Sequence, residues 1–107
     1  MTVELPKTPV GRHLGWVLDA LRSAPTPDEV RKRFSPAFLT QTPAETLVQA
    51  LELRAGELRG FVLDAFAHEA QRDLEAVLRL PDGANVRLSI EVDDQRITSL
   101  AFRRAAR

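Results

Sequence analysis

The sequence is poor in the residues that most often carry chemistry. It has no cysteine, which excludes disulfides, thiolate nucleophiles and soft-metal sites together and leaves the redox compartment open. It has no tyrosine and one tryptophan, and only 6% of its residues are aromatic against 44% hydrophobic, so Leu, Val and Ala must do most of the burial. Charge of one sign is not in excess either: 15 Lys plus Arg balance 15 Asp plus Glu, and nothing favours a phosphate backbone. Nucleic acid is therefore not an expected partner. No apolar run approaches the roughly 20 residues that span a bilayer, and Met1 to Lys7 lacks the charged start and apolar middle of a signal peptide. No membrane partner is expected, and the chain as given reads as cytoplasmic, although a parent protein could be exported. Lysine is almost displaced by arginine, a usage common in bacteria with GC-rich genomes.

The feature around which the chain is organised is Thr8 to Ala24. On a helical wheel Val10, Leu14, Val17 and Leu21 form the centre of an apolar face, Leu18 widens it on one side, and His13, Ala20 and Trp16 widen it on the other. Arg12, Asp19, Arg22 and Ser23 are left as the wet back. A helix apolar over more than half its circumference calls for a curved sheet or several partners around it. Gly11 and Gly15 lie one turn apart on it, and each costs about 1 kcal/mol relative to Ala in a helix, which predicts a close approach by another backbone.

Helix starts recur. Thr8-Pro9, Thr26-Pro27-Asp28-Glu29, Ser35-Pro36 and Thr42-Pro43-Ala44-Glu45 all read as N-terminal caps, the second and fourth as capping boxes of the T-x-x-E kind. Pro25 ends the first helix, a short second one carries Val30 and Phe34, and a turn after Pro36 carries Phe38 and Leu39. A further helix bears Leu47, Val48 and Leu51 on one face, with Gly56 placed to close it. Beyond Gly56 apolar residues alternate: Leu74, Ala76, Leu78 and Leu80, then Val86, Leu88, Ile90 and Val92, separated by the Pro81-Asp82-Gly83 turn. Asp93-Asp94 marks another turn before Ile97 to Phe102. From Leu58 to Leu80 the apolar residues fit a helical period as well as a strand period, and local reasoning leaves both open.

TPVGRHLGWVLDAL followed by RFSPAFLTQTPAETLVQAL, a Gly-containing turn and a series of strands resembles the N-terminal domain that precedes class A β-lactamase-like serine hydrolases. This is the Cpe/LpqF type, which includes the member from the clavulanic-acid cluster. The resemblance runs from about Thr8 to Arg103 and rests on Thr8 to Arg12 with Trp16, Leu18 and Asp19, and on Arg33 to Pro36 with Phe38 and Leu39. It implies an α+β fold of the steroid-isomerase, SnoaL and nuclear-transport-factor-2-like kind, also called cystatin-like. In that fold the first helix lies in the concavity of a bent antiparallel sheet of about four strands, and Leu58 to Ala67 pairs with Arg72 to Leu80. The organisation it implies is a single domain over 1–107: a loose lead-in at 1–7, a helical part at 8–56, the sheet at 57–103 and a tail at 104–107. In such proteins the chemistry belongs to a following domain with a Ser-x-x-Lys nucleophile, and no such motif occurs in this sequence. The chain reads as a stand-alone relative or an excised domain.

Two functions of different class follow. The first is a non-catalytic interaction or accessory domain whose partner is a β-lactamase-like serine hydrolase domain or a second copy of itself. Contact is expected through the outer sheet face, where Val62 and Phe66 have no second layer. The second is a pocket protein of the SnoaL or steroid-isomerase type that binds or isomerises a small hydrophobic ligand between the first helix and the sheet, lined by His13, Trp16, Val17 and Ala20. Such relatives need a carboxylate base and a tyrosine-containing oxyanion hole, and tyrosine is absent. His13 and Asp64 are the candidate bases. Glu75 and Glu91 alternate with inward apolar residues and should face outward, and His68 falls in the expected hairpin turn. No cofactor is expected, and two histidines without a third ligand give no metal site. Arg103, Arg104 and Arg107 form a basic, solvated tail.

Overall fold

Each helix begins where a small hydroxyl or a proline can relieve unpaired N–H groups. In the computed structural model, which describes residues 4–93 and 95–104, α1 (Pro9–Ala20) starts at Thr8, whose Oγ1 accepts from Gly11 N at 3.2 Å. The next free N–H, that of Val10, donates to Gln71 O at 3.4 Å and so ties the helix start to the first hairpin turn. Thr26 opens α2 (Pro27–Arg33) with a complete capping box, its side chain accepting from Glu29 N while the Glu29 carboxylate accepts from Thr26 N. Ser35 opens α3 (Pro36–Gln41) by accepting from Phe38 N at 3.2 Å.

Two local expectations are corrected. Thr42 does not cap α4 (Ala44–Glu57): it closes α3, donating its own N–H to Phe38 O, and Pro43 takes the cap position without a side-chain bond. With Pro43 as the residue that precedes α4, the Thr42 hydroxyl stands one position too early to cap it. Gly56 does not close α4 either, since the helix runs on to Glu57 and the left-handed turn falls at Gly60, φ +80°.

The alternating half forms a four-stranded antiparallel meander in the order β1 (Val62–Glu69), β2 (Asp73–Arg79), β3 (Asn85–Val92) and β4 (Ile97–Arg104). The ambiguous stretch is thus a hairpin, turning at 70–72 with Ala70 N donating to Asp73 O. Gly83, φ +87°, completes the next turn. Asp93 organises the third by accepting from Gln95 N and Arg96 N at 2.8 Å each, while Asp94 lies outside the described residues.

Register assigns the faces. Leu74, Ala76, Leu78, Val86, Leu88, Ile90, Val92 and Ile97 are buried on the inner side. There α1 packs across β2 and β3, α3 covers β4, and α2 rests on α4. A register shift in β1 between Leu63 and Ala65 places Phe66 opposite the buried Ala76, so it packs against the core and not on the outer face. Val62 remains outside and is 52% exposed. A parallel bridge from Phe34 to Ile97, with Ser35 N donating to Ile97 O at 2.9 Å, fixes the helical half to the start of β4.

The glycine pair on α1 is explained by the segment before it. A Cβ at Gly11 would overlap the Pro6 carbonyl, and one at Gly15 would stand 3.0 Å from Leu5 Cδ1, so the described lead-in lies against this helix.

Candidate functional site

Among the described residues His13 is the one buried titratable side chain, at 8% exposure, and its Nδ1 has no hydrogen-bond partner there. Its position on α1 brings it towards the end of α2 and the β3–β4 turn. Burial lowers its pKa below the usual 6.5, the Arg33 and Arg12 charges lower it further, and a backbone hydrogen bond at Gln95 and the Asp93 charge oppose them. A neutral imidazole results, but no carboxylate is hydrogen-bonded to orient it, and acid–base chemistry needs an oriented partner at bonding distance. Asp64 is elsewhere, half-exposed on β1 and 3.6 Å from Arg79. The two candidate bases are not brought together.

Val17 and Ala20 are buried in the core, Val17 completely. Trp16 is half-buried, edge-on to Phe34 and beneath the Arg33 guanidinium, 5.8 Å from the ring centroid. These residues lie where the sequence puts them, and their surfaces are engaged with protein.

The outer sheet face carries the remaining candidates. His68 bonds Asp73 across the hairpin, and Arg87 donates to Glu75 at 2.8 Å. That hydrogen bond, with the Arg87 charge, holds the Glu75 carboxyl below its ordinary range, so it stays ionised and offers no acid. A hollow of about 160 Å³ separates these pairs from Ser89, Glu91 and Ser99. No group of three or more His, Asp or Glu able to hold a metal ion occurs among the described residues. Arg103 and Arg104 end β4, and Arg104 reaches Asp82 at 3.4 Å; Arg107 lies outside the described residues.

One concavity was not foreseen. A groove of about 410 Å³ opens between the end of α1, the end of α4 and the corner before β1, lined by Leu21, Arg22, Glu52, Gly56, Arg59 and Phe61. Arg22, assigned by the wheel to the solvated back of α1, lies over the Phe61 ring at 4.7 Å from its centroid. Its residues come from two separated segments, 21–24 and 52–61, and no spacing in the sequence joins them.

Residues 5–97 match the model of the family described as ORF 12 gene product N-terminal. The chain belongs to this family. No curated protein matches the chain. The match covers α1 through the start of β4, and with it the groove and the packing of α1 on β2 and β3. No helix among the described residues is long and apolar enough to cross a membrane.

Proposed function

We propose that this family member is a non-catalytic accessory domain that acts by contact, through the outer face of its sheet. The observation that carries the reading is the one-sided layering. The helices cover the inner face, while Val62, Ala65, Ser89, Glu91, Ala101 and Arg103 face solvent on the other. An uncovered sheet face of four strands is a natural docking surface. The family description, an N-terminal part of a gene product, supports attachment to something larger. The partner is a β-lactamase-like serine hydrolase domain, as the resemblance implies, or a second copy. Self-contact has a specific attraction: Arg79, Arg87 and Arg103 cluster towards one end of the face and Asp73, Glu75 and Glu91 towards the other, so a two-fold stacking sets opposite charges against each other.

The pocket reading is weaker, because Val17 and Ala20 are taken up by the core and His13 lacks an orienting acid. Light scattering on the chain alone, and mixed with a β-lactamase-like serine hydrolase domain from the same organism, tests the proposal. A mass increase in either case, lost in Ala65→Arg, is expected, with no turnover of chromogenic β-lactams or short-chain esters. A strict monomer under both conditions, or saturable turnover by the chain itself, refutes it.

A further inference from the structure

We propose that the groove between the ends of α1 and α4 binds a small organic monocarboxylate, with its carboxylate between Arg22 and Arg59 and its apolar body on Leu21 and Phe61. The site shares no residue with the outer sheet face, and the inference goes beyond the contact function.

The first argument is Gly56. Glycine inside a helix costs about 1 kcal/mol relative to alanine. Gly11 and Gly60 each have a structural reason, one a backbone contact and the other a positive φ. Gly56 has neither: its backbone is helical, and nothing lies within 4 Å of where its Cβ would stand. What a side chain there would meet is the open groove that Gly56 lines. A glycine at this place keeps that space clear, where any side chain would begin to fill it.

The second is charge. Arg31, Arg54, Arg79, Arg87 and Arg104 each pair with a carboxylate. Arg22 and Arg59, the two in the groove, have no carboxylate partner among the described residues. The Arg22 guanidinium carbon lies 4.7 Å from the centroid of the Phe61 ring, a contact that does not use up its N–H donors. A carboxylate accepts such a fork in bidentate fashion.

The third is selectivity. Glu52 stands on the same wall, so a dianion such as a phosphate monoester meets a like charge, whereas a monoanion meets a net positive site. Leu21 and Phe61 are buried beneath, giving the floor an apolar character that favours a hydrocarbon body. A groove of about 410 Å³ is within the usual range of 300–1,000 Å³ for small-molecule sites.

The test is an amide-shift titration of the whole isotope-labelled chain with phenylacetate, its neutral analogue phenylacetamide and the dianion phenylmalonate. Phenylacetate should shift amides at 21–24 and 55–61 saturably, and the other two should bind at least about tenfold more weakly. Arg59→Ala should weaken phenylacetate by about tenfold or more with the remaining spectrum unchanged. Gly56→Leu should abolish the shifts while the melting temperature holds or rises, because leucine is the better helix former. No saturable shift with phenylacetate at millimolar concentration overturns the proposal. So does equal binding of the amide, or undiminished binding by Gly56→Leu and Arg59→Ala.

Discussion

Trp16 meets Phe34 edge-on, with ring centroids 5.9 Å apart and planes at 73°, and Phe34 in turn touches Phe38 at 4.9 Å. This row joins α1 to α3 through the one fully buried aromatic side chain of the core. Phe34→Ala should cost about 3–5 kcal/mol and Trp16→Ala about 3, since the indole is only partly enclosed. Urea denaturation followed by far-UV circular dichroism gives both values. A loss nearer 1 kcal/mol for Trp16→Ala, with red-shifted emission in the parent protein, would instead mean an indole lining open space.

The same substitution should have opposite signs at two helical glycines. Gly11→Ala gains helix propensity but drives a Cβ into the Pro6 carbonyl, and should lower the melting temperature. Gly56→Ala meets nothing and should stabilise the chain by up to about 1 kcal/mol. Calorimetry on the two variants decides it, and a stabilised Gly11→Ala would show that the lead-in does not hold its place against α1.

Stability should fall in acid on account of His13. Its folded pKa lies below 6.5 while the unfolded chain titrates near 6.5, so the unfolded state binds the proton first. Stability at this site is therefore complete above about pH 7 and is lost as pH falls through 6.5 towards the folded pKa. Denaturation midpoints from about pH 7.5 to about pH 5 should slope downward in the parent chain and less so in His13→Leu. Equal slopes would mean that the imidazole titrates alike in the folded and unfolded states, the Gln95 hydrogen bond and the Asp93 charge offsetting burial, Arg33 and Arg12.

Two identical-looking helix starts should behave differently. Thr26→Ala removes a reciprocal capping box and should cost about 1 kcal/mol. Thr42→Ala removes no cap bond, so its midpoint should stay close to that of the parent. A comparable loss at both positions, measured by urea midpoints, would restore Thr42 as a cap.

This last pair also shows what was legible in the sequence. Periodicity identified the alternating strands and the broad apolar arc of α1, because burial on one face is what periodicity encodes. The T-x-x-E string announced both α2 and α4 but could not tell that Thr42 would be taken by the preceding helix, only one residue away. The bulges of β1 were equally hidden: a shift of register moves Phe66 from one face to the other, and nothing local in its sequence announces it. Of the candidate site, His13 and Trp16 were visible because they sit on a strong helix. The Arg22 and Arg59 groove was not, since its parts are some 35 positions apart and meet only when two helix ends converge.

The packing of α1 against β2 and β3 sets an order on biosynthesis. Val92, the last residue of β3, leaves the ribosome 72 positions after Ala20, the last residue of α1. At 5–20 residues per second that interval is roughly 4–14 s, during which Val10, Leu14, Val17 and Leu18 lack the complete β2–β3 surface. Capping at Thr8 and Thr26 lets helices form in the nascent chain, but their apolar stripe stays wet until the second and third strands arrive. Because α1 waits for β3 before it is covered, the growing polypeptide passes through a stage at which a chaperone that reads exposed leucine and valine has a clear target.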